Sequence, residues 1–146
     1  RLVRAIEIAI KGVPLSRKRG PLNKQVNSLW LGLTAPTTLI DQRINHRVIH
    51  RAQHGMTSEV KRLTHQYPDW SLPAFSATGY REWHDYLNST TTKSQAINLW
   101  QTAERQYARR QVTWFKKMPG ITWFDVSRPN YHNQVVQTVK TWYNQI

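Results

Sequence analysis

Two short strand-like runs, Ser28-Leu29-Trp30-Leu31-Gly32-Leu33-Thr34 and Ile121-Thr122-Trp123-Phe124-Asp125-Val126, are the only β-patterned stretches of this chain, and roughly 85 residues of mostly helical pattern separate them. This arrangement limits the fold more than any other feature of the sequence. An isolated two-stranded sheet is marginal in water, and parallel sheets need both faces covered. Either the strands form a minor ribbon on a helical body or further strands complete the sheet; the second reading is the one adopted. The expected class is mainly α with two short strands (α/β).

The helical segments follow from periodicity and from their stops. Leu2, Ile6, Ala9 and Ile10 recur at helical spacing over residues 1–11, with Gly12 as a stop. Pro14, Gly20 and Pro21 break a loop that carries Arg17-Lys18-Arg19. A helix over 38–54 places Leu39, Ile44, Val48 and Ala52 on one side and closes at Gly55. Thr57 is placed to cap a short helix that turns Val60 and Leu63 inward, and another helix is expected over 75–88. Thr92-Lys93-Ser94-Gln95 has the form of a capping box. The longest helix starts there and runs to about Met118, before Pro119-Gly120. A last helix over 130–143 is expected to turn Val135, Val139 and Trp142 inward.

Charge narrows the function. Twenty-one Lys and Arg against eight Asp and Glu give a net charge of +13. Self-repulsion on that scale is relieved by a polyanionic partner, nucleic acid first and an anionic membrane surface second. The absence of cysteine excludes disulfides and thiolate metal sites. No apolar run reaches the roughly 18 residues that span a bilayer, and nucleic acid rather than a membrane is the expected partner.

The charge is concentrated on the longest helix. At about 100° per residue, Arg105, Arg109 and Lys116 fall on one stripe with Thr113 beside it, while Ala96, Ala103, Tyr107 and Trp114 fall opposite, toward an expected core. The guanidinium fork matches phosphate oxygens, so the stripe is a candidate phosphate contact, with Gln106, Gln111 and Thr113 as neutral hydrogen-bonding groups. Arg43 and Arg47, four apart on one helix, suit a shared anion; the competing reading pairs Arg43 with Asp41 or Glu59. His46, His50 and His54 recur every fourth residue, but no third ligand type is near, so they read as a partly exposed face rather than a metal site. Trp30, Trp114, Trp123 and Trp142 read as packing, and Tyr80 and Trp83 as the aromatics available to stack on a base.

The run Arg105-Gln106-Tyr107-Ala108-Arg109-Arg110-Gln111-Val112-Thr113-Trp114-Phe115, followed by a short spacer and Trp123-Phe124-Asp125, resembles the signature near the end of bacterial tRNA dimethylallyltransferases (isopentenyltransferases). The likeness extends over the chain. Arg1-Leu2-Val3-Arg4-Ala5-Ile6-Glu7-Ile8 with Pro14-Leu15-Ser16 is similar to that family's helical insertion. Arg43-Ile44, Arg47, Gly55 and Glu59-Val60 are similar to a helix pair, and Gly79-Tyr80-Arg81 with Tyr86-Leu87 to a later element.

The resemblance implies transfer of a dimethylallyl group from its diphosphate to N6 of the adenine 3′ to the anticodon, with the base flipped out of the loop. It implies a P-loop-type α/β core of which this chain holds part: residues 1–27 the end of the helical insertion, residues 28–146 core strands and RNA-binding helices. It places tRNA contacts at Arg1 and Arg4, at Ser76, Ala77, Thr78, Gly79, Tyr80 and Arg81, and at Arg105, Arg109, Arg110, Gln111, Val112, Thr113, Trp114, Phe115 and Lys116. Arg47 would hold the diphosphate end of the donor. Mg²⁺ would serve the full-length enzyme, with none held by this chain alone. The partners implied are the tRNA anticodon stem-loop and dimethylallyl diphosphate, the setting cytoplasmic and the state monomeric.

Four departures matter. No Gly-x-x-x-x-Gly-Lys-[Ser/Thr] loop is present to cradle a diphosphate, and the family's early Asp-Ser motif, which carries the base, is absent, so no catalytic residue is assigned and the chain alone is expected to be inactive. Glu104 stands where the family usually has Thr and Ser76 where Arg is common, changes expected to weaken tRNA contact locally. The alternative reading is a non-catalytic basic module that binds structured RNA. A DNA-binding domain fits less well, because no helix-turn-helix spacing stands out.

Overall fold

A computed structural model describes Ile10 and residues 27–145. Arg1, Arg4, the run Arg17-Lys18-Arg19 and the helix expected over 1–11, apart from Ile10, lie outside the described residues. In chain order the elements are β1 (Trp30–Thr34), α1 (Thr37–Gln53), α2 (Met56–Gln66), a 3-10 turn (Pro73–Ser76), α3 (Tyr80–Leu87), α4 (Lys93–Phe115), β2 (Ile121–Asp125) and α5 (Tyr131–Tyr143).

Local chemistry sets most boundaries. Pro36 separates β1 from α1, and Gly55, at φ 94°, turns the chain from α1 into α2. That glycine occupies the cap position expected of Thr57, which lies inside α2 and accepts a hydrogen bond from the Trp83 indole at 3.2 Å instead. The helix expected over 75–88 is split, because Gly79 at φ 97° interrupts it between the 3-10 turn and α3. At the start of α4 the capping box forms as expected: the Gln95 N–H donates to Thr92 Oγ1 at 3.2 Å, and the Thr92 N–H donates to Gln95 Oε1 at 2.9 Å. α4 ends at Phe115, short of Met118.

The core belongs to the helices. Ile44, Val48 and Ala52 of α1, Met56 and Val60 of α2, Trp83 of α3, and Ala96 and Trp100 of α4 form one buried cluster. Trp83 and Trp100 meet edge to face, ring centroids 6.1 Å apart, a favoured arrangement of aromatic quadrupoles. The core tryptophans are therefore not the ones expected. Trp30 and Trp114 are exposed, Trp123 and Trp142 are half-buried, and Trp83, read as a possible base-stacking residue, is sealed off from any ligand.

β1 and β2 pair in parallel, from Trp30 opposite Ile121 to Thr34 opposite Asp125. Gly32 faces Trp123, and a Cβ at Gly32 would lie 2.5 Å from the indole, so no larger residue fits beneath that ring. Among the described residues the sheet has these two strands alone. Leu33 is 61% exposed and Trp30 and Leu31 are also open, so apolar strand surface lacks cover here. α5 lies against β2 along a half-buried stripe of Tyr131, Val135, Thr138 and Trp142, while Val139, expected inside, is exposed. Among the described residues no helix is long and apolar enough to cross a membrane.

Candidate RNA-binding surface

The site is organised around one buried acid. Ala96, Trp100 and Glu104 recur every fourth residue on α4, the stripe that faces the core. Glu104 accepts hydrogen bonds from Arg47 Nη2 at 3.0 Å, from Thr78 Oγ1 at 3.1 Å and from the Trp100 indole N–H at 3.3 Å. Its side chain is 10% exposed. A carboxylate can be buried at tolerable cost when a cation and neutral donors satisfy its oxygens. Glu104, which stands where the resembled family usually has Thr, is the internal node joining α1, α4 and the turn before α3.

Gly79 allows that turn to approach. A Cβ at Gly79 would lie 2.4 Å from the Trp100 ring and 2.6 Å from its Nε1. The backbone therefore crosses directly over the indole, and positive φ adds a second reason for glycine. Glu82 Oε2 accepts the Gly79 N–H at 2.8 Å, and the Tyr80 hydroxyl donates to Glu59 Oε1 at 2.7 Å. That bond to Glu59, then burial, pushes the Tyr80 phenol above its ordinary range. Within the 76–81 segment, Ser76, Ala77 and Arg81 are exposed, Thr78 and Tyr80 half-buried and Gly79 buried. Arg51, His54, Glu59, Thr78, Tyr80 and Trp100 surround an open, polar-lined cavity of about 320 Å³.

The cations of α4 divide into two groups. Arg105 Nη1 donates to Asn45 Oδ1 at 2.7 Å, and Arg109 Nη2 meets Asp41 Oδ2 at 2.9 Å, so the expected ridge leans on α1. Arg110, Gln111, Thr113, Phe115 and Lys116 are exposed, and Val112 is half-buried. Tyr107 and Trp114, expected to face inward, are 48% and 60% exposed, because Ala96, Trp100 and Glu104 occupy the core-facing stripe. Arg110 lies over the Tyr107 ring at 5.9 Å from its centroid, within cation–π range.

On α1, Arg47 is fastened to Glu104, yet its side chain is 52% exposed, leaving guanidinium donors turned outward. Arg43 pairs with neither Asp41, which holds Arg109, nor Glu59, which holds Tyr80. The structure thus brings Arg47, Thr78 and α4 together through Glu104, and Asp41 and Asn45 against Arg109 and Arg105. Asn45 and Arg51 were not anticipated, and Asp41, weighed as a partner of Arg43, pairs with Arg109 instead. The His50 and His54 rings stack at 4.1 Å, and His54 Nδ1 is 2.8 Å from the His50 carbonyl, which accepts its proton. No three His, Cys, Asp or Glu converge as a metal-binding set among the described residues.

Comparison with known proteins extends this picture. A model of the IPP transferase family matches residues 1–118. A tRNA dimethylallyltransferase from Pediococcus pentosaceus is 32% identical over 145 residues, covering 97% of this chain and 46% of that protein. One from Carboxydothermus hydrogenoformans is 40% identical over 129 residues, covering 86% of this chain and 41% of that protein. The crystal structure of a tRNA delta(2)-isopentenylpyrophosphate transferase from Staphylococcus epidermidis superposes with a TM-score of 0.76 at 26% identity, covering 98% of this chain and 47% of that one. The chain thus spans a little under half the length of these relatives.

Proposed function

The chain belongs to the IPP transferase family, and from that premise we propose that it is the tRNA-gripping part of a tRNA dimethylallyltransferase. In this reading residues 1–27 close a helical insertion. Residues 28–146 supply two strands of a larger P-loop-type sheet, together with the helices that hold the anticodon stem-loop. The open apolar surface at Trp30, Leu31 and Leu33 supports the idea of a sheet that continues.

The observation that carries the proposal is the Glu104 node. One buried carboxylate ties Arg47, the residue assigned to the donor diphosphate, to Thr78, inside the 76–81 segment assigned to tRNA. Donor and acceptor contacts are thereby fixed to the same helix, α4, which carries the third tRNA segment. Holding two reactants in register is where an enzyme of this kind gains rate. In the proposed reaction the C–O bond between the dimethylallyl group and its diphosphate breaks, and a bond forms from that carbon to the adenine N6. The amine proton goes to a base outside this chain, and Arg47 stabilises the departing diphosphate through its free donors. Mg²⁺ bound elsewhere in the full-length enzyme would add charge neutralisation on the diphosphate.

The test is binding of this chain to an anticodon stem-loop with adenines 3′ to the anticodon, against a hairpin with the same stem and a uridine-only loop. Preference for the adenine loop is expected. Equal binding to both hairpins would leave this chain as an electrostatic grip of the kind a non-catalytic RNA-binding module provides.

A further inference from the structure

The outer face of α1 holds six basic side chains that neither the ridge on α4 nor the 76–81 segment accounts for as a group. Arg43, Arg47 and Arg51 recur every fourth residue, as do His46, His50 and His54. At about 100° per residue all six fall within about 140° of one another, and all six are exposed. Ile44, Val48 and Ala52 hold the opposite face in the core. Like charges four residues apart on a helix oppose its formation, so a helix that repeats arginine at that interval is relieved by a polyanion along it.

Few acids answer this face. Asp41, the single acid within α1, is taken by Arg109. Glu104 engages one nitrogen of Arg47, and Glu59, across from Arg51 and His54, accepts the Tyr80 hydroxyl. Among the described residues neither Arg43 nor Arg51 makes an ion pair. The face also runs into a surface already assigned to RNA, since Arg51 and His54 line the same open cavity as Thr78 and Tyr80.

We propose that this face of α1 tracks the RNA backbone, joining the 76–81 segment and the α4 ridge into one continuous phosphate-binding surface. The inference rests on the reading that the chain holds RNA. A helix of 17 residues spans about 25 Å, enough to follow several phosphates. Arg43 and Arg51 supply charge and forked donors, Arg47 between them being turned to Glu104 and the donor diphosphate, and the histidines supply ring N–H groups. RNA is favoured over an anionic membrane because the apolar side of α1 is committed to the core, leaving nothing to insert between lipids.

The experiment uses the whole 146-residue chain with the adenine-loop hairpin across a salt series. The substitution R43Q/R51Q is compared with R128Q/K140Q, an equal charge change near β2 and on α5. Arg47 is left in place because its removal would strand the buried Glu104 carboxylate. Each lost phosphate contact lowers the salt slope by about 0.7–0.9, so R43Q/R51Q is expected to flatten it by about 1.5 and the control by less than about 0.5. R43K/R51K, which keeps the charge, should retain most of the slope, and circular dichroism reports whether each variant folds. Equal slope changes for R43Q/R51Q and the control would overturn the inference while leaving RNA binding intact. Wild-type chain that fails to bind the hairpin at low salt would overturn both. Vesicles containing phosphatidylserine serve as the other polyanion: an effect of R43Q/R51Q on vesicle binding alone would assign the face to membranes and overturn the inference.

Discussion

The helical body and the strand end of this molecule are built to different standards of closure. Around Trp83 and Trp100, four helices bury their apolar stripes against one another and leave Val48, Val60, Trp83 and Ala96 with no exposure. At β1 and β2, a parallel pair leaves Trp30, Leu31 and Leu33 open, and α5 contributes no fully buried residue. The helical body has the density of a finished core. The strand end has the surface of one still to be covered, as a parallel sheet packed on one side would. The proposed RNA-binding surface lies on the finished part: Glu104, Thr78, Arg47 and Arg109 are all held by contacts among α1, the turn before α3 and α4.

The largest effect that would sharpen this contrast is Trp83→Ala. Removing a fully buried indole is expected to cost about 3–5 kcal/mol, measured by urea denaturation; a loss below about 1 kcal/mol would break the comparison by showing that the helical core is loose. Gly79→Ala comes next. The new methyl would strike the Trp100 ring in a backbone conformation that L residues rarely adopt, for a destabilisation of about 1–3 kcal/mol. Melting of Gly79→Ala at the wild-type temperature would mean that the turn does not lie over the indole. The smallest change is expected at the strand end, where Leu33→Ser should alter stability by no more than about 0.5 kcal/mol while reducing any tendency of the isolated chain to self-associate. A loss comparable to that of Trp83→Ala would show that Leu33 is already covered.

What could be read from the sequence was local. The Thr92–Gln95 capping box, the stop at Gly55 and the two strands depend on neighbours within a few residues, and all are present. The inward face of α4 was not readable, because that helix carries two stripes with aromatic residues. Both start at Ala96: one runs on to Trp100 and Glu104 at four-residue steps, the other through Ala103, Tyr107 and Trp114. Only tertiary contact chooses between them, and Gly79 passing over Trp100 favours the first. The burial of Glu104 was not readable for a related reason. Seen in sequence it is an acid among arginines, a surface residue. Its burial depends on Thr78, 26 residues away, and Arg47, 57 residues away. The pairing of Arg109 with Asp41 spans 68 residues and was equally out of reach. The family was legible nonetheless, because the Arg105–Phe115 run and the Gly79-Tyr80-Arg81 element keep their order and spacing.

The most direct test of the contrast is native-state hydrogen exchange on this chain, read residue by residue. Amides of α1 and α4 beside Val48 and Trp100 are expected to exchange only through global unfolding, while those of β1 and β2 exchange through smaller openings at lower free energy. Equal protection at both ends would contradict the account, because it would mean that the two-stranded end is as complete as the helical core.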